Sequence, residues 1–161
     1  EPFYQINQDP MVLEFLPGTM CHDAVRSFIE KQNKQFQERG FMLWAAELKE
    51  NSQLIGFVGL NFTDHPFPFA PAVEIGWRLG SKYWKNGYAT EAANAVLNYG
   101  FNQIYLNEII SFTVPENIRS RRVMERIGMI RDNKNDFLHP KLAKNHPLAQ
   151  HVLYRIRKYL L

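Results

Sequence analysis

Hydrophobic and polar residues follow a helical rhythm in two long segments of this sequence. Between Asp23 and Arg39, apolar residues recur every three or four positions, at Val25, Phe28, Ile29 and Phe36. Gly40 follows at the point where such a helix would end. The segment 88–101 repeats the pattern, with one face formed by Ala92, Ala95, Val96 and Tyr99. We therefore predict amphipathic helices over 23–39 and 88–101.

A second rhythm, that of β-strands, occupies shorter segments. These segments are rich in β-branched and aromatic residues and cover 41–48, 54–62, 72–79, 108–114 and 151–158. Asn51 and Ser52 give a turn signal between the first two segments, which predicts a hairpin. The last segment shows a clear period of two, in which Val152, Tyr154 and Ile156 alternate with Leu153, Arg155 and Arg157.

The remaining segments are predicted to be short helices and loops. Residues 1–7 and 117–126 have helical character, and Gly128 is placed to end the second helix. Residues 64–71 are expected to form a loop because their prolines cannot donate to a strand ladder. The segment 132–150 is polar and irregular.

The order of these elements predicts one α/β (α+β) domain over residues 1–161. Its sheet would be mixed and mostly antiparallel, with helices on both faces. The unit 72–114 would be a right-handed crossover between two parallel strands. A chain of 161 residues with 45% hydrophobic and 22% charged residues can bury a core and is not typical of a disordered protein. The single cysteine, Cys21, excludes a disulfide-built secreted module.

The sequence carries no signal for a membrane span or a leader peptide. The longest apolar run, 54–60, is far shorter than the roughly 20 residues of a spanning helix. Residues 1–10 lack the basic start and the apolar block of a signal peptide. We therefore expect a cytoplasmic protein with no membrane partner.

The charge balance adds one local feature. The chain has 19 Lys+Arg against 16 Asp+Glu, a net charge of +3 that a solvated surface explains. One short segment, however, holds a cluster of arginines, namely Arg119, Arg121, Arg122 and Arg126. Such a cluster suits a phosphate-bearing ligand better than a nucleic acid, which favours a broader basic stripe. A nucleic-acid binder remains an alternative hypothesis, although the sequence has no aromatic–basic RNA motif.

The segment 74–92 carries the most chemical information, because a strand feeds a loop that opens a helix. Gly87 stands at the helix entrance, where a side chain would keep a ligand away from the backbone N–H groups. The first-turn N–H groups have no partner within a helix and lie at the positive end of its dipole, so they suit a pyrophosphate. Gly76, in the middle of the strand, predicts a bulge or a close backbone approach.

This segment resembles the cofactor motif of the GNAT superfamily of N-acetyltransferases, in the branch of ribosomal-protein alanine acetyltransferases. The motif is Arg/Gln-x-x-Gly-x-Gly/Ala, and Gly87 and Ala89 match it while Trp84 stands at its first position. The next family block is met by Val114-Pro115-Glu116-Asn117, Ser120 and Gly128-Met129, and the tail 151–156 is also similar. The resemblance covers nearly the whole chain. It implies the GNAT fold, in which two parallel strands splay apart.

The resemblance implies an acetyl-CoA-dependent N-acetyltransferase that acts by direct transfer to the primary amine of a small molecule or of a protein N-terminus. Acetyl-CoA would be a co-substrate, and no metal is implied. Its pantetheine arm would pair with the backbone of Trp77, Arg78 and Leu79. Its pyrophosphate would lie next to Trp84 on the N–H groups of Lys85, Asn86, Gly87, Tyr88, Ala89 and Thr90. The remaining cofactor contacts would come from Lys85 and from Asn117, Ser120, Arg119, Arg121 and Arg122.

Direct transfer also needs a base for the proton of the amine and a donor for the oxyanion. Glu74 is the candidate base, because it lies on the strand face shared by Gly76 and Arg78. A lone glutamate in a strand is also commonly a surface or ion-paired residue. A backbone N–H near Leu79 would serve the oxyanion.

The proton donor for the CoA thiolate is less clear from the sequence. Many relatives have a tyrosine where this chain has Met124, which cannot donate a proton. Ser120 and Asn117 are then the polar candidates, although Asn117 is equally a good helix N-cap. Tyr88 is a further candidate, and water is another. Met124 also keeps open a non-catalytic acyl-CoA-binding sensor of the same fold.

The acceptor pocket would be shaped by the segments 64–71 and 132–150. Its candidate lining residues are Phe67, Phe69, Phe137, Trp44, Trp77, His65 and His139, although aromatics at strand spacing are commonly core residues. The family begins with a strand before its first helix, so we expect the natural chain to be longer at its N-terminus. The edge of 41–48 would then be open to a partner, such as a second copy in a homodimer.

Overall fold

The computed structural model describes residues 1–64 and 66–158 and follows the predicted order of elements. The helices are α1 (Pro2–Ile6), α2 (Pro10–Leu13), α3 (His22–Arg39), α4 (Tyr88–Asn102) and α5 (Ile118–Arg126). The strands are β1 (Leu43–Glu47), β2 (Leu54–Thr63), β3 (Ala72–Leu79), β4 (Glu108–Thr113), β5 (Ile130–Arg131), β6 (Phe137–Leu138) and β7 (Gln150–Arg157). Single 3-10 turns lie at Ser81–Tyr83 and Asn133–Asn135.

The strands of the described residues form one mixed sheet in the order β1-β2-β3-β4-β7-β5, with β6 also paired to β7. Every neighbouring pair is antiparallel except β3 and β4, which are parallel and joined through α4. The predicted mixed, mostly antiparallel sheet with one parallel pair is therefore confirmed.

The main core lies between the sheet and the helices α4 and α5. It includes Leu60, Ile75 and Ile109 from the sheet, all fully buried, and Leu97 from α4. The inward face of β7 is the one that its period of two predicts, formed by Val152, Tyr154 and Ile156. A smaller cluster of Phe3, Val25 and Phe57 fills the space under α1 and α3 on the opposite face. Helices thus cover both faces of the sheet, as predicted.

The parallel strands β3 and β4 diverge from a single point of contact. Glu74 and Ile110 are the one bridged pair between them in the described chain. Close beside this bridge, the hydroxyl of Ser111 donates a hydrogen bond of 2.9 Å to the carbonyl oxygen of Ile75. Because α4 follows β3 and α5 follows β4, the N-terminal ends of both helices lie at the wide end of the gap. This gap is the splay that the resemblance implies.

Gly76 does not form the predicted bulge. The antiparallel register between β2 and β3 runs without interruption from Gly56–Leu79 to Thr63–Ala72 and passes through the pair Gly59–Gly76. The close backbone approach occurs at Gly59 instead, where a Cβ atom would lie 2.2 Å from the carbonyl oxygen of Met42. The glycine that β3 contributes to this pair therefore leaves space on the sheet surface rather than bending the strand.

The N-terminal end of the described chain is helical, as predicted, since α1 begins at Pro2. Within the described residues no strand precedes Pro10, and β1 pairs only with β2 and lies at the edge of the sheet. The short elements α2, β5 and β6 were not predicted, because two to four residues cannot show a periodic pattern.

Candidate active site

The N-terminal end of α4 is open towards the wide end of the gap. Gly87 caps this helix with a left-handed φ of +83°, and no side chain of the described residues caps its first turn. A Cβ atom at Gly87 would meet no atom within 4 Å, so the space in front of the helix end is free. The first-turn N–H groups and the helix dipole then face an open space, which fits a pyrophosphate.

Trp84 shapes the loop that leads into α4. Its indole Nε1–H donates a hydrogen bond of 2.8 Å to the carbonyl oxygen of Leu79, which folds the loop back onto the end of β3. The guanidinium of Arg119 lies 4.6 Å from the centre of the Trp84 ring. Asn86 holds the same turn by donating to the carbonyl oxygens of Tyr83 and Trp84. The tryptophan at the first motif position thus braces the loop from within.

The predicted phosphate-binding arginines are engaged with groups of the protein itself. Arg119 forms an ion pair with Glu14 on the exposed surface. Arg121 donates to the carbonyl oxygen of Pro115 at 2.9 Å and to the hydroxyl of Tyr154 at 3.2 Å. That hydroxyl in turn donates to Glu125. Any contact of these arginines with a phosphate must therefore use their remaining N–H groups, whereas Arg122 and Arg126 are exposed.

Asn117 acts as the N-cap of α5. Its side-chain oxygen accepts a hydrogen bond from the backbone N–H of Ser120 at 3.2 Å, and its amide nitrogen donates to the hydroxyl of Thr113. Both polar atoms of Asn117 are thus in use. The hydroxyl of Ser120 has no hydrogen-bond partner in the described part of the chain. Met124 is 1% exposed and lies in the main core, so no proton donor occupies the position of the family tyrosine.

Glu74 lies at the closed end of the gap between β3 and β4. Burial raises the pKa of its carboxyl to about 7, although hydrogen bonds from Thr63 and Asn61 and the charge of Lys141 oppose the shift. The hydroxyl of Thr63 donates to the carboxyl at 3.4 Å. Within the described residues Glu74 forms no ion pair. A carboxyl that titrates near neutral pH and is free of a cationic partner is suited to accept a proton.

Arg78 shares the strand face of Glu74, and its side chain is engaged with the N-terminal segment. Its guanidinium donates to the side-chain oxygen of Asn7 and to the sulfur of Met20, and it lies 5.5 Å from the centre of the Phe57 ring. Burial lowers the pKa of Arg78 to about 10. The side chain therefore secures α1 to the sheet, while its backbone remains part of the strand edge that faces the gap.

The segment 7–15, which we call the strap, crosses the wide end of the gap. At its start, Asp9 caps α2 and accepts hydrogen bonds from the backbone N–H and the hydroxyl of Ser81, just after β3. At its end, Glu14 pairs with Arg119 in α5, just after β4. The strap is thus fastened on both sides of the gap. The strap is not recognisable in the sequence, because its two fastenings join residues more than seventy positions apart.

Aromatic residues gather on the face of the sheet that carries Glu74. We call the ring wall the cluster formed by Phe67, Phe69, Phe112, Phe137, His139 and His151. Sequence reasoning named four of these six and missed Phe112 and His151. Phe112 was detectable, because it has the strand parity of Ile110, the partner of Glu74.

Two of the predicted lining residues lie elsewhere, and a third is outside the described residues. Trp44 packs against Phe36 and Tyr99, and Trp77 packs against the main core. Both tryptophans therefore pack on the α4 face of the sheet, opposite to the face that carries Glu74. His65 lies outside the described residues.

No group of three or more His, Cys, Asp or Glu side chains in the described part of the chain is arranged to hold a metal ion. None of the helices in residues 1–64 and 66–158 combines the length and the apolar character that a membrane crossing requires.

Comparison with known proteins places this geometry in a family context. Residues 1–130 match the family model described as an acetyltransferase (GNAT) domain. A Bacillus subtilis protein named uncharacterized N-acetyltransferase YnaD is 34% identical over 132 residues, which are 80% of this chain and 72% of that protein. The crystal structure of a GNAT-family acetyltransferase from Bacillus anthracis is 30% identical, with a TM-score of 0.75 over 97% of this chain and 87% of that one.

The fold extends to more distant proteins. The spermidine N-acetyltransferase of Vibrio cholerae, solved with CoA and spermine, has a TM-score of 0.72 at 17% identity. The alignment covers 98% of this chain and 88% of that one. At this level of identity the comparison shows a shared fold only.

Proposed function

The chain belongs to the GNAT acetyltransferase family, and we propose that it moves the acetyl group of acetyl-CoA to a primary amine by direct transfer, with Glu74 as the base. The acceptor amine belongs to a small molecule or to a protein N-terminus. The observation that carries the proposal is the half-buried carboxyl of Glu74 at the closed end of the gap, with a pKa near 7. The open N-terminal end of α4 at the wide end of the same gap supports it.

Each residue of the gap then has a task. Acetyl-CoA supplies the thioester, whose C–S bond breaks as the new C–N bond forms. The carboxylate of Glu74 takes the proton of the attacking nitrogen, and its raised pKa of about 7 suits it to this exchange near neutral pH. A backbone N–H near Leu79 is the proposed oxyanion donor. The hydroxyl of Ser120 is the proposed donor to the sulfur, passing on a proton that it regains from solvent water, since Asn117 is used as a cap.

The cofactor contacts are proposed on the same grounds. The N–H groups from Lys85 to Thr90 hold the pyrophosphate, because the helix end is uncapped and open. The backbone of Trp77, Arg78 and Leu79 borders the gap, because in the described chain β3 has no bridged partner on β4 beyond Glu74. These backbone groups are therefore available to the pantetheine arm.

The experiment that tests the proposal compares the wild type with Glu74→Gln. Release of free CoA is measured with a panel of primary amines between pH 5 and 9. We expect kcat/KM of the wild type to rise with pH up to about 7 and then to level off. Glu74→Gln should lose this limb and about 10²–10⁴-fold in rate, the usual contribution of a general base.

The matched control is Glu47→Gln, which makes the same change at an exposed position of β1. It should leave both the rate and the pH profile unchanged. Full turnover of Glu74→Gln across the pH range would show that Glu74 is not the base.

A non-catalytic acyl-CoA sensor is the second candidate function. It is favoured by one observation, the buried Met124 where relatives carry a tyrosine. Acetyl-CoA binding by calorimetry, with no CoA release over any amine of the panel, would favour the sensor over the enzyme.

The proposed setting is the cytoplasm. A second copy is the proposed partner along the outer edge of β1, because that edge has no paired strand in the described chain and open edges recruit further strands.

A further inference from the structure

Beyond Glu74, the gap between β3 and β4 has one bare side and one aromatic side. In the parallel register set by Glu74 and Ile110, Gly76 stands opposite Phe112. Gly76 contributes no side chain. Phe112 lies on an inner strand of the sheet and is nevertheless only half-buried. Its ring therefore borders the opening, and a molecule that enters beside Glu74 meets this ring on one side and backbone on the other.

Phe112 is the centre of the ring wall. Its ring centre lies 5.6 Å from that of Phe67, 5.5 Å from Phe69 and 5.3 Å from Phe137. The imidazoles of His139 and His151 lie 6.2 and 5.7 Å from it. Such spacings are those of packed aromatic pairs. Phe67 and Phe137 are buried and support the wall from behind, so its accessible part consists of Phe69, Phe112 and the two imidazoles.

The two imidazoles of the ring wall are uncharged at neutral pH. Burial lowers the pKa of both, that of His139 to about 4. The Nδ1 atom of His139 accepts a hydrogen bond from the backbone N–H of Lys141, so its proton is on Nε2. The Nδ1 atom of His151 faces the carbonyl oxygen of Ala149 at 3.1 Å, which requires the proton on Nδ1. The wall thus presents neutral rings.

A surface cavity of about 280 Å³ lies on the other side of the Glu74–Ile110 bridge from the wide end of the gap, and Ile110 and Phe69 are among its lining residues. Its lining is mostly apolar, formed by Phe62, Phe69, Pro71, Ala72, Val73 and Ile110, with Glu108. Among these described lining residues Glu108 is the one carboxylate, and it is paired with Arg155 and Arg157 at 2.7 Å each. A second ammonium group of a polyamine would therefore find no free carboxylate in the cavity.

A positive charge at the rim of the ring wall also disfavours a polyamine. The ammonium of Lys141 lies 6.0 Å from the centre of the Phe67 ring. It would repel a polycation that approaches along the wall. An uncharged hydrocarbon body would instead gain from leaving water against the rings.

We propose that the ring wall selects the acetyl acceptor, and that this acceptor is a primary amine on a small apolar body of about one aromatic ring. The inference rests on the proposed function and specifies its substrate. It ranks polyamines and basic peptides below such amines, because the wall is neutral and the carboxylate of the cavity is already paired.

The test measures CoA release by the full chain with phenethylamine, spermidine and a basic peptide that has a free N-terminus. We expect kcat/KM for phenethylamine to exceed the other two at least tenfold. A higher kcat/KM for spermidine or for the peptide would overturn the inference while leaving the proposed function intact. Binding of acetyl-CoA with no CoA release over any amine would overturn both.

Two wall variants identify the residues that choose the acceptor. Phe112→Leu keeps an apolar side chain and should raise KM for phenethylamine about tenfold, with KM for acetyl-CoA unchanged. His139→Glu places a carboxylate in the wall and should lower the phenethylamine-to-spermidine ratio of kcat/KM at least tenfold. The matched control is Phe36→Leu, since Phe36 is 45% exposed on α3 and is not part of the wall. Ratios unchanged in both wall variants would overturn the inference.

Discussion

Two titrating residues near the gap affect stability in opposite directions. The carboxyl of Glu74 has its pKa raised from 4.5 to about 7, so the folded protein holds that proton more tightly than the unfolded chain does. Its contribution to the free energy of unfolding is complete below pH 4.5 and is lost as the pH rises through 7. His139, with its pKa lowered from 6.5 to about 4, contributes above pH 6.5 and loses its contribution as the pH falls towards 4.

Replacing Glu74 should change how the free energy of unfolding depends on pH. We expect the free energy of unfolding of Glu74→Gln, relative to that of the wild type, to increase by on the order of 2 kcal/mol as the pH rises from 4.5 to 7.5. Each pKa unit corresponds to about 1.4 kcal/mol. The full shift is discounted because the carboxyl is not fully withdrawn from solvent. Urea denaturation at several pH values measures this difference. Glu47→Gln should follow the wild-type curve. Parallel curves for the wild type and Glu74→Gln would contradict a raised pKa.

At the scale of elements, the sequence located what is long and periodic. The helix predicted over 23–39 is α3, and the strand predicted over 72–79 is β3. Within α3, however, Gln32 and Gln35 are buried because their amides bond to the backbone of β1, β2 and the residues near them. A polar residue that is buried for such a reason cannot be recognised from hydrophobic periodicity.

The candidate site was only partly readable for a related reason. The loop around Gly87 and the carboxyl of Glu74 belong to one continuous segment, so motif and parity were sufficient to propose them as candidates. The strap and the ring wall assemble from distant segments, and β6 is two residues long. Their formation depends on tertiary contacts that a single sequence does not display.

The strap allows a prediction for one of its fastenings. Asp9→Ala removes the N-cap of α2 and the bonds to Ser81, which should cost about 1 kcal/mol of stability. We also expect KM for acetyl-CoA to rise severalfold. The upper bound is about tenfold for each 1.4 kcal/mol by which the mutation weakens the attachment of the strap. Thermal unfolding and steady-state kinetics measure the two effects.

A change of the same kind at another acidic residue serves as the control. Asp23→Ala alters an exposed residue in the first turn of α3, away from the gap. Its KM for acetyl-CoA should equal that of the wild type. If Asp9→Ala and Asp23→Ala gave the same KM, the strap would have no part in binding.

At the scale of the whole molecule, the sheet consists of two parts. One part contains β1, β2 and β3, and the other contains β4, β7, β5 and β6. In the described residues, the pair Glu74–Ile110 and the bond from Ser111 to Ile75 connect them through the sheet, and α4 and the strap connect them outside it. The site therefore lies at the junction on which the integrity of the fold depends.

Ser111→Ala tests this junction. Ser111 is 2% exposed, and its loss would leave the carbonyl oxygen of Ile75 without its hydroxyl donor. We expect a loss of about 1–3 kcal/mol in the free energy of unfolding, the usual cost of a buried group left unpaired. Urea denaturation measures it. Ser27→Ala makes the same change on the exposed face of α3 and should alter the free energy of unfolding by less than about 0.5 kcal/mol. An equal loss in both variants would contradict the role of Ser111.

Because the two parts of the sheet share a single bridged pair among the described residues, that pair can act as a hinge between them. We expect the softest motion of the sheet to be a change in the angle between the two parts about Glu74 and Ile110, which alters the width of the opening while each part keeps its own strand pairing. A molecule bound between the two parts restricts this motion, so the lost conformational entropy of the protein opposes binding. Amide hydrogen exchange should then slow in β2 and β7 together, although neither strand borders the opening.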